Sequence, residues 1–267
     1  MLTVLPINAY QDNYIWCIQN PLSQACIVVD PGEAQPVIDH LEKHQLTLVA
    51  ILVTHHHYDH VDGICDLVSY TQQQTGKSID VYGPLNPKIK QITHPLKHGD
   101  VLTILGTLYE VTEVPGHTLD HLSYFSPEDS LHSAPWLFCG DTLFSAGCGR
   151  LFEGTPAQML NSLKALASYP LETEVYCTHE YTLSNLAFTQ AVLPNDTEVK
   201  LYIERCQTLR DSNKPTLPST IKTELAINPF LNCTRPDVQA SVSLQSQSPI
   251  TDELDTFTRL RKWKDTF

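Results

Sequence analysis

The sequence predicts an α/β protein whose first two thirds are β-rich and whose last third is helical. Two observations carry this. Short apolar runs ending in turn signals recur up to about residue 180, and beyond it such runs give way to helix signals punctuated by proline. At 267 residues the chain can hold one large domain or two of ordinary size, with ample material for a core.

Taken in order, Cys26-Ile27-Val28-Val29 reads as a strand stopped by Asp30-Pro31-Gly32, and Leu48 to Val53 as a strand running into a histidine cluster. Further strands are expected at Val101 to Leu105, Tyr109 to Val114 before Pro115-Gly116, Leu122 to Phe125, Trp136 to Cys139 and Val175 to Thr178. Helical periodicity fits Gln35 to His44, Val61 to Gln74 and Pro156 to Ala167. In the last third, Asn195-Asp196-Thr197-Glu198 offers a cap with an acid three positions on, opening a helix to about Asp211. Thr251-Asp252-Glu253 opens a final helix with acids in the first turn, where they suit its dipole. Pro215, Pro218, Pro229 and Pro236 mark connections, and the polar stretch Ser241 to Ser248 reads as a loop. No internal repeat or low-complexity tract is present.

A formal net charge of −13 and the lack of a basic stripe speak against a nucleic-acid binder. No apolar run approaches the ~18 residues needed to span a bilayer. The start, Met1-Leu2-Thr3 with no basic residue and with Asp12 close behind, does not resemble a signal peptide, so a cytoplasmic address is expected. Eight cysteines without a Cys-x-x-Cys pair read as buried free thiols in a reducing compartment.

Function concentrates in Thr54-His55-His56-His57-Tyr58-Asp59-His60, which places five potential metal donors in the six positions from 55 to 60. Neighbouring imidazoles disfavour one another's protonation, and a divalent cation suits neutral imidazole and carboxylate donors. Three candidates follow downstream beside turns or strand ends: His117 in Pro115-Gly116-His117-Thr118, Asp141 in Gly140-Asp141-Thr142, and His179 in Thr178-His179-Glu180. Each alone reads more readily as turn chemistry than as a ligand. Combined with His55, His57, Asp59 and His60 they give five imidazoles and two carboxylates, too many for one open tetrahedral ion and suited to two ions sharing a carboxylate.

Thr-His-His-His-x-Asp-His with Pro-Gly-His-Thr, Gly-Asp-Thr and a late Thr-His-Glu resembles the metallo-β-lactamase superfamily. Narrower strings point to one branch. Asn8-Ala9-Tyr10-Gln11-Asp12-Asn13-Tyr14-Ile15-Trp16, Ala146-Gly147-Cys148-Gly149-Arg150-Leu151-Phe152, His179-Glu180-Tyr181-Thr182 and Asn228-Pro229-Phe230-Leu231 resemble glyoxalase II, the hydroxyacylglutathione hydrolases, over nearly the whole chain.

The resemblance implies an α/β fold of the αββα four-layer sandwich type across residues 1–179, followed by a smaller α-helical substrate domain across 180–267. It places one metal on His55, His57 and His117 and a second on Asp59, His60 and His179, with Asp141 bridging; Asp59 and Asp141 are thereby also the catalytic carboxylates. The donors suit zinc and tolerate iron or manganese. Such a pair of ions would let water cleave a thioester without a Ser or Cys nucleophile, so Cys148 between two glycines reads as a buried packing residue. The implied substrate is S-(2-hydroxyacyl)glutathione, typically S-D-lactoylglutathione, handled by a monomer without nucleic acid or membrane. Arg150, Phe152 and Tyr181 match positions near the thiol and its adjoining peptide, and Arg261 and Lys264 match the pair at the glycine end. Helical spacing also places Arg261 and Lys264 on one face with Leu254 and Phe257, although cations equally suit a helix C-terminus.

Several positions depart from the family pattern: Tyr58, Asp62, Asp120 and Asn232 stand where Asn, Gly, Gly and Arg are usual. None removes a proposed ligand, and Asn232 replaces one local salt bridge or its equivalent. His56 is left to packing or support. A single-iron persulfide dioxygenase shares much of the first half but lacks the C-terminal Arg/Lys pair, and a nuclease of the same superfamily conflicts with the acidic balance.

Overall fold

Four of the seven candidate ligands, His55, His57, Asp59 and His60, lie just beyond the strand Thr47–Leu52, which has a parallel neighbour on each side. In the computed structural model, which describes residues 1–267, packing separates Met1–Glu113 with Asp120–Gly140 from Val114–Leu119 with Asp141–Phe267. Each unit has its own architecture.

The first unit opens with antiparallel strands β1 (Thr3–Ala9), β2 (Asn13–Asn20) and β3 (Ala25–Val29). Helix α1 (Gln35–His44) leads to β4 (Thr47–Leu52), parallel to β3. Helices α2 (Tyr58–Val61) and α3 (Ile64–Thr75) then lead to β5 (Asp80–Pro84), and β6 (His94–Leu96) completes a sheet in the order β1-β2-β3-β4-β5-β6. A strand flanked by parallel neighbours and covered on its faces needs apolar residues throughout, which is why β4 reads as an unbroken apolar run. Val28, Ile51 and Val81 of three adjacent strands share a core with Val37 and Leu41 of α1 and Ile64 and Leu67 of α3. Proline in the first turn starts α1, and left-handed Gln45 ends it by returning its N–H to Leu41 and Glu42.

Strands β7 (Val101–Ile104), β8 (Thr107–Glu113), β9 (Leu122–Ser126) and β10 (Trp136–Gly140) follow as antiparallel neighbours in that order. The hydroxyl of Tyr124 in β9 donates to the Val53 carbonyl at 2.6 Å, and Leu122 N–H donates to Thr54 at 2.8 Å. The end of β4 is thus tied to β9 just where the histidine cluster begins.

The second unit contains the hairpin β11 (Leu143–Phe144) and β12 (Gly147–Cys148), helix α4 (Pro156–Ala167), strand β13 (Glu174–Cys177), and helices α5 (Thr182–Val192) and α6 (Thr197–Asp211). The short β14 (Ser219–Thr220) pairs with β13, and α7 (Ile221–Ile227), α8 (Pro236–Ser246) and α9 (Glu253–Thr266) complete the chain. Thr155 and Gln158 form a reciprocal capping box at the start of α4.

The expected bounds of α1 and α4 coincide with the observed helices, and four expectations are corrected. The helix anticipated over Val61 to Gln74 is two helices, because the Gly63 N–H turns aside to the Pro31 carbonyl at 3.0 Å. The cap of α6 is Asp196 rather than Asn195, its carboxylate accepting from Val199 N at 3.1 Å. The polar stretch expected as a loop largely belongs to α8, which buries Val238 and Val242 beneath its Ser and Gln side chains. Leu254, expected inside with Phe257, is exposed while Phe257 is buried. All eight cysteines are free, and seven are buried; Cys65 is exposed. No helix is long and apolar enough to cross a membrane.

Candidate metal centre

In the first unit the donor cluster is organised by a buried carboxylate, Asp30. Its Oδ1 accepts the Thr54 N–H and its Oδ2 the Thr54 hydroxyl, both at 2.7 Å, while Oδ2 also lies 3.0 Å from His60 Nδ1. One side chain in the turn after β3 therefore fixes both ends of the segment from Thr54 to His60. Gly32 in the same turn permits close approach to the helix carrying Asp59: a Cβ there would lie 2.0 Å from the Asp59 carbonyl oxygen.

Beyond β4 the chain is extended through His57, which precedes α2 with φ −65° and ψ 147°. His55 and His57 turn toward one another, Nε2 to Nδ1 at 3.0 Å. Asp59 and His60 lie in the single turn of α2, with Asp59 Oδ2 3.7 Å from His60 Nε2 and accepting from Asn13 Nδ2 at 3.1 Å. His55 and His60 are fully buried with ring centroids 4.0 Å apart, and His121 stacks on His55 at 4.6 Å. Packing three imidazoles and a carboxylate this tightly suits a shared cation better than hydrophobic burial. His56 turns to a separate set of partners: Nδ1 to Asp120 at 2.9 Å and Nε2 to Lys88 at 2.8 Å, with Asn86 donating to the other Asp120 oxygen at 2.7 Å. The acid at position 120 thus anchors the His56 ring. Tyr58 projects outward, 67% exposed.

The second unit gathers the other three candidates around a single oxygen. Asp141 Oδ2 lies 3.4 Å from His117 Nε2 and 3.3 Å from His179 Nε2. His117 Nδ1 bonds the Arg150 carbonyl at 2.8 Å, which sets the ring's orientation and presents Nε2 toward Asp141. His179 follows β13, with Tyr181 stacked on it at 4.6 Å and Phe144 edge-on at 5.9 Å. Gly149 closes over Asp141 so tightly that a Cβ would fall 2.0 Å from the Asp141 carbonyl oxygen. A carboxylate oxygen between two imidazoles, with the outer nitrogen of one ring held by backbone, fits the donor set of a divalent-metal centre.

The remaining predicted site residues also fall in this unit. Phe152 is 62% exposed and meets His117 edge-on at 5.2 Å. Arg150 pairs with Asp265 at 3.3 Å. Arg261 is buried, donating to the Cys148 carbonyl at 2.8 Å and pairing with Asp265 at 3.1 Å, its guanidinium over the Phe230 ring. Lys264 donates to the Ser184 carbonyl at 3.2 Å, and burial, followed by the charge of Arg261, lowers its pKa. Burial raises the Cys148 thiol, against a role as nucleophile. Asn232 donates to the Leu225 and Asn228 carbonyls at 2.8 and 2.9 Å. Asp30, Asn13 and His121 did not stand out in the sequence; Asp30-Pro31-Gly32 was legible only as a turn.

The pattern of the Metallo-beta-lactamase superfamily matches residues 14–179, and that of the Hydroxyacylglutathione hydrolase C-terminus matches residues 180–267. Proteins named Hydroxyacylglutathione hydrolase from Shewanella oneidensis and Hahella chejuensis are each 49% identical, the alignments covering 100% of both chains. Among solved structures, the BLEG-1 B3 metallo-beta-lactamase matches with TM-score 0.60 at 25% identity, over 86% of this chain and 99% of that chain. The fold class is accordingly α/β, of the metallo-β-lactamase type with a helical C-terminal region. The chain belongs to the hydroxyacylglutathione hydrolases, the glyoxalase II branch of the metallo-β-lactamase superfamily.

Proposed function

We propose that the protein hydrolyses S-(2-hydroxyacyl)glutathione, with S-D-lactoylglutathione the representative substrate, to a 2-hydroxy acid and glutathione, the closing step of methylglyoxal detoxification. The observation that carries the chemistry is the Asp141 oxygen shared between His117 and His179. In this reading His55, His57 and His117 would hold one divalent ion, Asp59, His60 and His179 would hold a second, and Asp141 would serve both. Zinc suits the all-nitrogen-and-oxygen donor set, with iron or manganese acceptable. When bound, the ions supply water acidified toward neutrality and positive charge for the oxyanion that forms at the thioester carbonyl.

The chain's own residues do the positioning. Asp30 holds His60 and the start of the ligand segment, and the Arg150 carbonyl holds His117. Phe152 and Tyr181 offer rings beside the histidines for the apolar stem of the thiol. Lys264, and Arg261 behind it, supply local positive charge for a glycine carboxylate in a chain whose net charge of −13 would otherwise repel it. A glutathione thiolate with a pKa of about 8.5 leaves without obligatory protonation, so no general acid is required. Residues 1–179 then carry the hydrolytic chemistry and 180–267 the substrate cradle, in a cytoplasmic monomer acting on no nucleic acid or membrane.

Purified protein should release thiol from S-D-lactoylglutathione, detected with a thiol-reactive dye. Oxygen uptake with glutathione persulfide, and no thiol release from the thioester, would replace this reading with the dioxygenase one.

A further inference from the structure

The hairpin of β11 and β12 has an unusual tip. Its register, Leu143 with Cys148 and Phe144 with Gly147, leaves Ser145 and Ala146 as a two-residue turn. Such turns ordinarily face water, whereas Ser145 and Ala146 here are 1% and 0% exposed. Ala146 also adopts a left-handed φ of 57°, a conformation that costs a residue with a Cβ. A buried turn must have every backbone polar group satisfied by protein.

The helices satisfy them. Asn185 donates to the Ser145 carbonyl at 3.1 Å and Thr189 to the Ala146 carbonyl at 3.2 Å, both from α5. Asn228, at the end of α7, donates to the Gly147 and Phe144 carbonyls at 2.9 and 3.2 Å. Arg261 of α9 takes the Cys148 carbonyl. At the tip the Ala146 N–H goes to Oε2 of Glu224 at 2.8 Å, and the same oxygen accepts from Asn228 at 3.1 Å. Glu224 is fully buried on α7, and the Ala146 amide and Asn228 side chain that donate to it are neutral. Retaining a carboxylate where an apolar side chain would pack more cheaply implies a task for it, and the contact it makes is with the strained turn.

We propose that Glu224 is a positioning residue for hydrolysis: it fixes the left-handed Ala146 turn and thereby the loop from Asp141 to Phe152. That loop begins at the shared carboxylate and ends at Phe152. Gly149 returns over the Asp141 carbonyl, and the Arg150 carbonyl orients His117. A shift of the tip would therefore move both the carboxylate and the backbone group that aims a neighbouring imidazole. The helical region then does more than receive substrate; it clamps the loop that carries the chemistry. The inference rests on the hydrolase reading for its consequence, while the clamp itself is measurable without substrate.

The test compares Glu224→Gln and Glu224→Ala in the metal-loaded full chain by amide hydrogen exchange, with kcat and KM for S-D-lactoylglutathione. Gln keeps an acceptor for the Ala146 N–H, so exchange at residues 144–149 and both kinetic constants should remain within about threefold of the parent. Ala should speed exchange of the Ala146 amide by about 10- to 100-fold, the loss expected for one hydrogen bond to a charged acceptor, and lower kcat more than it changes KM, with β1 to β5 amides unaltered. If Glu224→Ala does not fold, Thr189→Val removes only the donor to the Ala146 carbonyl and should loosen the same amides by about 5- to 10-fold. Unchanged protection of the hairpin in Ala or Val, or failure of Gln in the same way as Ala, would overturn the proposal. Localised loosening in a protein that releases no thiol would support the clamp and remove the hydrolase reading instead.

Discussion

Asp30 Oδ2 stands 3.0 Å from His60 Nδ1, and the two oxygens of the same carboxylate hold Thr54 by its N–H and its hydroxyl. A single buried acid outside the donor segment thus lies against one histidine and holds the start of the loop that bears the others. Asp30→Asn keeps the size and one acceptor but loses the charge. It should weaken metal affinity by about 10- to 100-fold, the usual penalty for disturbing a ligand's outer partner. Competition with a chromophoric chelator measures this directly.

Cys148 is adjacent to the loop glycines, and its thiol is raised by burial. Cys148→Ala should keep thioester hydrolysis within about threefold, and the parent's Cys148 should resist alkylation at neutral pH far longer than exposed Cys65. Mass-spectrometric mapping of iodoacetamide adducts distinguishes the two thiols. Rapid modification at 148 with loss of turnover would point to a covalent route.

Lys264 donates to a backbone carbonyl at the edge of α9 and carries local charge without touching the histidine cluster of the second unit. Lys264→Ala should raise KM by about tenfold and leave kcat within about twofold, the signature of binding lost equally from ground and transition states. Steady-state kinetics with S-D-lactoylglutathione reads both constants.

Burial raises the Glu224 carboxyl above its ordinary value, with bonds from Ser219, Ala146 and Asn228 opposing. A raised folded pKa contributes stability fully below the unfolded value, about 4.3, and that contribution is lost as pH rises through the folded value. Glu224→Gln has no such charge to bury. Its Tm relative to the parent should therefore climb as pH increases from about 4 to about 8. A difference that falls with pH would show the carboxylate to be stabilised in its ionised form, and a flat one that folding leaves its titration unshifted; either contradicts the cost of burial.

What could be read from the sequence followed local rules. The apolar run of β4 and the periodicities of α1 and α4 are each specified within a few residues, and their expected positions agree with the structure to within a residue. The helix α8 was hidden because Ser and Gln dominate its exposed side, while two valines one turn apart supply its buried one. The break at Asp62–Gly63 was hidden because its cause, the Pro31 carbonyl, lies thirty-two residues from Gly63 in sequence. The donor cluster announced itself by density, whereas Asp30 and His121 act through tertiary contact and look ordinary in their own surroundings. The basic pair of α9 was legible as charge. That Arg261 is turned inward onto Cys148 and Asp265 depends on the hairpin it meets, which no helical periodicity encodes.

The most direct measurement is metal content and thiol release on the same sample of the parent and of Asp141→Asn. The parent should carry two divalent ions per chain and cleave S-D-lactoylglutathione. Asp141→Asn, deprived of the charge between His117 and His179, should lose at least one ion and at least about 100-fold in kcat/KM. Two retained ions with full turnover in Asp141→Asn would contradict the shared carboxylate at the centre of the mechanism.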